Sequence, residues 1–264
     1  MSDVYLSVVI PVYNAGKTIQ RCVESVVREV ETNKFSYEII LVNDGSTDNS
    51  LELCKEIASY NSNIKIFSQE NLGPSVARNY GLQNAKGNYI ALNDSDDEWL
   101  PGKLKYQIDY LNNNPDISLV CAQYGIHSTK KKNVEITYIK EVFHNYFSPQ
   151  TSVFRKYVGE FRFPENQRYS EDMHFILDIM QKNRCVYLPF LATKSINDKF
   201  IFGENGLSSN LWEMERGELS NILFTLKIKK INFFVFCFAY FFSFLKFIRR
   251  YLIARYRERQ VKME

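Results

Sequence analysis

Four short apolar runs, each broken by a polar cluster and followed by a helical pattern, fill the first hundred residues of the chain. Residues 6–10, 37–42, 64–67 and 89–92 are dominated by Val, Ile, Leu and Ala with little polar alternation, the pattern of strands buried on both faces. Between them, Ile19, Cys22, Val23, Val26, Val27 and Val30 line one face of a helix over residues 18–31. Leu51, Leu53, Cys54, Ile57 and Ala58 mark a second helix, and residues 75–83 carry a third. This order predicts an α/β fold, a mostly parallel, Rossmann-like sheet with helices on both faces. Ligands of such sheets gather beyond the carboxyl ends of the strands.

Those carboxyl ends are polar. Tyr13-Asn14 follows the first strand, Asn43-Asp44-Gly45-Ser46 the second and Asp94-Ser95-Asp96-Asp97 the fourth. The Asn-Asp-Gly-Ser set is also good turn chemistry, with Ser46 able to cap a following helix, so by itself it reads as a turn before it reads as a site. The acidic cluster is different. Three carboxylates within four residues repel one another unless a positive group sits among them, and hard oxygen ligands favour Mg²⁺ or Mn²⁺. A solvated acidic loop is the competing reading.

Further along, Pro101 suits the first turn of a helix reaching residue 112, and residues 117–121 form another strand. Residues 123–170 are mixed and polar, and Lys130-Lys131-Lys132 reads as a solvated hairpin tip. Ser170 is placed to cap a helix running to residue 181, whose first turn holds Glu171 and Asp172. Two acids there also complement the helix macrodipole. His127, His144 and His174 lie far apart without metal-ligand spacing.

The formal net charge of +3 conceals an asymmetry, since residues 227–264 hold ten Lys/Arg and two Glu and leave the preceding body net acidic. Such a tail suits a polyanionic surface, and its interleaved Phe, Leu and Ile favour lipid over nucleic acid. Residues 231–245 are apolar on all faces but span only about 22 Å as a helix, short of the roughly 30 Å hydrocarbon core. Lys227, Lys229 and Lys230 precede them and Lys246, Arg249 and Arg250 follow, and basic residues on both flanks oppose a spanning orientation. The segment therefore reads as a helix lying in one leaflet. A core helix or a dimer interface is the alternative. The five scattered cysteines suit a reducing compartment, and the first residues lack the basic region of a secretory signal, placing the body in the cytoplasm.

Several of these segments resemble one family. Ser7-Val8-Val9-Ile10-Pro11-Val12-Tyr13-Asn14, the run from Glu38 through Asn43-Asp44-Gly45-Ser46 to Asp48, Asn71-Leu72-Gly73 with Ala77-Arg78-Asn79, and Asp94-Ser95-Asp96-Asp97 with Trp99-Leu100-Pro101 resemble the family-two inverting glycosyltransferases of the A-type fold. The resemblance implies that Pro11, Tyr13 and Asn14 line the nucleotide pocket, that Asp44 contacts the base, usually uracil, and that Arg78 lies near the donor. It puts Asp94 near the ribose or donor sugar and Asp96 on a divalent Mn or Mg ion bridging the diphosphate. An acid pair opening a later helix supplies the base in such enzymes; Glu171-Asp172 matches, nominating Asp172 as base and Glu171 as a supporting or acceptor-contacting, substrate-binding residue. A basic or His residue often follows near the diphosphate, whereas residues 198–206 offer only Lys199.

On this reading residues 1–208 form the catalytic domain, with a nucleotide half at 1–105 and an acceptor half at 106–208, and residues 209–264 a separate helical membrane-associating tail. The implied partners are a UDP-sugar donor, a lipid-linked saccharide acceptor and the inner-membrane surface, as in transferases for O-antigen or capsule repeats. Two other classes compete. A Mg-dependent phosphatase or phosphotransferase would carry its D-x-D after the first strand, where this chain has Pro11-Val12-Tyr13-Asn14. A non-catalytic membrane-associated protein would have no need of Asp94, Asp96 and Asp172 together.

Overall fold

The structure is a computed structural model that describes residues 4–125, 132–197 and 209–261. Strands β1 (Leu6–Val12), β2 (Tyr37–Asp44), β3 (Ile64–Gln69) and β4 (Tyr89–Leu92) run parallel in the order β3-β2-β1-β4. Helices α1 (Ile19–Thr32), α2 (Ser50–Ser59) and α3 (Pro74–Asn84) form the crossovers. Successive β1 side chains face opposite layers. Leu6, Val8, Ile10 and Val12 pack with Ile19, Cys22, Val23 and Val26 of α1, while Val9 packs with Ala77 and Leu82 of α3. Both faces are dry, and each Val or Ile so buried stabilises by about 1.5–3 kcal/mol, which explains the unbroken apolar runs.

Beyond β4 the sheet becomes mixed. β5 (Asp97–Trp99), α4 (Lys103–Asn113), β6 (Ile117–Tyr124), β7 (Val134–Ile136), α5 (Tyr138–His144), β8 (Val153–Arg155), α6 (Glu171–Ile179) and β9 (Arg184–Ser195) follow. The strand order continues β4-β8-β6-β9-β5, with β7 also on β9. β8 is antiparallel to β4 and β6, whereas β6 and β9 are parallel. Sequence reading passed over β9, although Cys185-Val186-Tyr187-Leu188 carries a strand signal. The strand matters because Asp97 pairs with Ser195 and Trp99 with Thr193, so β9 holds the acidic segment in place.

α4 begins at Lys103, two positions after the proline expected to open it. Gly102 at φ 85° turns the chain first, and the buried Glu29 carboxylate of α1 accepts from the Gly102 (2.9 Å) and Leu104 (3.1 Å) amides. A side chain from another helix thus does the capping. Lys130 and Lys131 of the expected hairpin tip, His127 and residues 198–206 lie outside the described residues.

α7 (Leu211–Lys227) and α8 (Phe233–Val261) form a pair against α6. Met173 and Leu177 of α6, Ile222 of α7 and Ala239 of α8 share one buried cluster. Buried Glu215 accepts from Ser243 Oγ (2.9 Å) and Arg250 (2.8 Å), and Glu218 pairs with Lys246 and Arg250, clamping the two helices together. α8 is therefore not equivalent all round. Ala239 and Ser243 are buried while Phe233, Phe234, Phe238, Phe241 and Phe244 are exposed. Among the described residues no helix is long and apolar enough to cross a membrane.

Candidate active site

Strand register brings the polar sets to one edge. Val12 aligns with Asn43, Asn43 with Ser68 and Asp44 with Gln69, while β4 lies against β1 through Val9 and Leu92. Pro11 lies within the last two residues of β1, which ends at Val12, and Tyr13, 48% exposed, stands open just beyond it. Asn14 adopts φ 47°, and its amide donates to Ser46 Oγ (3.1 Å) while its Oδ1 accepts from the Thr47 amide (2.8 Å). The first and second strand loops are thereby fastened to each other.

Asp44 is buried and its carboxylate organises the loop after β3. Oδ1 accepts from Gln69 Nε2 (2.8 Å) and the Leu72 amide (2.9 Å), and Oδ2 from the Gly73 amide (2.9 Å). Gly73 sits at φ 93°, which a side chain would resist, and delivers the chain into α3 with Pro74 in the first turn. A carboxylate offers about four acceptor positions, so this loop leaves Asp44 room for about one more donor. The turn role and a ligand role are compatible.

Arg78, buried in α3, is the junction of the site. One guanidinium nitrogen donates to Asp94 Oδ1 (2.8 Å) and another to Glu171 Oε1 (3.0 Å), and the group lies 5.2 Å from the centre of the Phe163 ring. Burial works against its charge, but Asp94 and Glu171 outweigh that and raise its pKa. The guanidinium thus ties the cluster after β4 to the first turn of α6 across most of the intervening chain.

The repulsion expected within the acidic cluster is relieved by divergence. Asp94 meets Arg78; Asp97 turns inward and accepts from Tyr124 OH (2.8 Å); the Asp96 carbonyl accepts from the Ile196 amide (3.0 Å) while its side chain stays half-exposed. No three His, Cys, Asp or Glu gather as a metal cage among the described residues. That still fits Mg²⁺ or Mn²⁺, which are held by one or two carboxylates together with substrate phosphates and water.

Glu171 is buried on Arg78, and Asp172 is half-buried with Oδ1 accepting from the Met173 amide (2.8 Å). Desolvation raises the Asp172 pKa and the neighbouring Glu171 charge raises it further, while the Met173 amide and then Arg78 oppose both. Ser170 does occupy the position before α6, but its side chain does not cap the helix. It adopts φ 54°, a conformation costing a non-glycine residue about 1–3 kcal/mol, and Oγ donates instead to the Met214 carbonyl of α7 (3.2 Å). His174 points away from the acids, with Nδ1 3.1 Å from Asn221 Oδ1 and its ring against Phe224.

Two polar anchors escaped sequence reading. Asn79 donates to the Phe163 carbonyl (2.9 Å) and accepts from the Phe163 amide (2.8 Å), fixing the loop that covers Arg78. Asn221 of α7, fully buried, does the same for the approach to α6. Asn79 adjoins Arg78 in sequence, which was a signal; nothing local marks Asn221. An apolar groove of about 570 Å³ between α1 and α2 is lined by Val23, Val27, Leu53 and Ile57, and neither the Asp94–Asp97 cluster nor Glu171 and Asp172 border it.

Residues 7–175 match the profile of Glycosyl transferase family 2, and the chain belongs to that family. It is similar to the uncharacterized glycosyltransferase YibD of Escherichia coli K12, at 47% identity over 96 residues that make up 36% of this chain and 27% of that protein. The chain therefore spans under a third of that relative's length. Among solved structures it resembles TarS of S. aureus in complex with UDP, with TM-score 0.62 and 23% identity over 83% of this chain and 65% of the other. It also resembles the mannosyltransferase PcManGT of Pyrobaculum calidifontis in complex with GDP-Man and Mn2+, with TM-score 0.64 and 16% identity over 84% and 64%. At these identities the likeness defines the fold, and the two bound nucleotides differ.

Proposed function

We propose that the protein is an inverting glycosyltransferase that moves a hexose or N-acetylhexosamine from a UDP-sugar to a polyprenyl-diphosphate-linked saccharide in O-antigen or capsule assembly. The observation that carries this reading is the Arg78 bridge between Asp94 and Glu171, which brings a donor-side acid and an acceptor-side acid pair to one cation. A phosphotransferase has no need of that pairing.

Tyr13, Asn14 and Pro11 border the place for the base and Asp44 contributes its remaining acceptor position. Asp94 contacts the ribose or donor sugar while Arg78 fixes its orientation. Asp96, with the diphosphate oxygens, would hold Mn²⁺ or Mg²⁺. A divalent ion bound there would supply stabilisation for the charge that develops on the departing nucleoside diphosphate. Asp172 accepts the proton of the acceptor hydroxyl as that oxygen attacks the anomeric carbon from the face opposite the leaving group. The raised pKa of Asp172 brings it nearer to neutral pH, where a general base is most effective.

Incubation with UDP-glucose, UDP-galactose and their N-acetyl forms, a synthetic lipid-diphosphate saccharide and Mn²⁺ tests this. One donor should release UDP in an acceptor-dependent way. Failure of every UDP-sugar, or release of phosphate from a simple monoester, would overturn the proposal.

The acceptor's location rests on α8. Its exposed Phe233, Phe234, Phe238 and Phe241, flanked by Lys227, Lys229 and Lys230, suit a helix lying on the cytoplasmic face of the inner membrane as a peripheral or monotopic anchor. Deleting the helix would uncover Met173 and Leu177, so charge reversal is the cleaner experiment. At about 1 kcal/mol per cation, losing three attractions alone weakens binding to phosphatidylglycerol vesicles by roughly 100-fold, and the added glutamates weaken it further. Unchanged co-sedimentation of Lys227→Glu/Lys229→Glu/Lys230→Glu would refute the anchor.

A further inference from the structure

The proposed base does not hold itself in place. It sits at the start of a nine-residue helix whose preceding residue, Ser170, has the strained φ of 54° and makes no side-chain cap. Its carbonyl accepts from Asn221 Nδ2 (2.8 Å), Gln167 Nε2 (3.1 Å) and the His174 amide (3.3 Å). Asn221 Oδ1 in turn faces Gln167 Nε2 (3.2 Å) and His174 Nδ1 (3.1 Å), so one buried amide joins both sides of the turn. The α7 backbone reaches the same place. A Cβ on Gly217 would lie 2.4 Å from the Tyr169 carbonyl oxygen, and Met214 accepts the Ser170 hydroxyl.

We infer that α7 is a strut for the reaction centre and that Asn221 is a positioning residue, acting through the Ser170 carbonyl to set where the Asp172 carboxylate stands. The inference rests on the proposed role of Asp172. Its physical basis is satisfiability: a buried amide in contact with three partners fixes a turn that backbone preference alone opposes. Gly217 is what allows α7 close enough for Asn221 to reach. The donor-side residues, Asp44, Arg78, Asp94 and Asp96, form none of these bonds, and Arg78 holds Asp94 through a different guanidinium nitrogen from the one on Glu171, so disturbing the strut should leave donor binding intact.

Asn221→Asp keeps the shape and the acceptor toward Gln167 and His174 but removes the donor to the Ser170 carbonyl. Its expected signature, with the full-length protein, Mn²⁺ and the lipid-diphosphate saccharide, is a fall in kcat for transfer of about 10- to 100-fold, the range seen when reacting groups are displaced by an ångström. The affinity for UDP-sugar, measured by calorimetry, stays at the wild-type value. Gly217→Ala should show the same split, because the added methyl pushes the Tyr169–Ser170 segment. Trp212→Ala, at the exposed start of α7 against Phe247, is the control and should leave kcat unchanged.

Equal loss of kcat and donor affinity, or full kcat in folded Asn221→Asp and Gly217→Ala, would overturn the positioning role. If Asn221→Asp fails to fold, Gly217→Ala decides alone by the same two readouts. Should Asp172→Asn prove fully active, the proposed base itself is wrong, an outcome separable from a strut failure because it leaves both Asn221 and Gly217 intact.

Discussion

Replacing Asp172 with asparagine is expected to reduce sugar transfer by about 10²- to 10⁴-fold, the usual contribution of a general base, without weakening UDP-sugar binding. Asparagine preserves size and can still accept from the Met173 amide through its carbonyl oxygen, so the helix start survives. What disappears is the proposed site for the acceptor proton. The same group sets the pH response. Because desolvation and Glu171 raise the pKa of Asp172, the proton is lost only above the ordinary carboxylate range. A base must be unprotonated, so kcat should rise with pH along a limb displaced upward from about 3.9, the unperturbed Asp value, and Asp172→Asn should abolish that limb. Wild-type turnover in the variant, or an acid limb that persists unchanged, would place the base elsewhere.

Replacing Arg78 with methionine is expected to have the largest effect on stability. Methionine roughly matches the aliphatic stem and retains contact with Phe163, but it leaves Asp94 and Glu171 facing a shared space without their cation. Removing one member of a buried ion pair costs about 3–5 kcal/mol because the remaining charges stay desolvated. For a chain of this size that corresponds to a fall in Tm on the order of 10 °C. Transfer should be lost together with donor binding, in contrast to Asp172→Asn. Arg78→Lys should recover only part of the stability, since a single ammonium lacks the planar fork that reaches two carboxylates. A methionine variant with unchanged Tm would show that the bridge contributes nothing to the fold.

Much of this was legible in the sequence. The apolar runs of β1 to β4 are long, uniform and punctuated, and strands covered on both faces leave little freedom for another reading. Asp44, Asp94 and Asp96 were found as strand-end acids for the same reason. The acceptor half was less legible because its strands owe their positions to distant partners: β8 is antiparallel to two neighbours, and β9 is bent by register shifts before it meets β5. Local propensity says nothing about such pairings. The cap of α6 was misread because serine fits the rule, whereas here the turn is held from α7 by Asn221, a residue isolated in sequence. The tail read as uniformly apolar because composition cannot reveal that Ala239 and Ser243 face α6 and α7 while Phe233, Phe234, Phe241 and Phe244 face out.

The configuration of the new glycosidic bond tests the central claim most directly, because attack by an Asp172-activated hydroxyl must come from the face opposite the departing diphosphate. NMR of the product formed from an α-linked UDP-sugar and the lipid-diphosphate saccharide should show a β linkage. An α linkage would contradict the account, since retention requires a different arrangement of groups around the anomeric carbon than the one built on Arg78, Glu171 and Asp172.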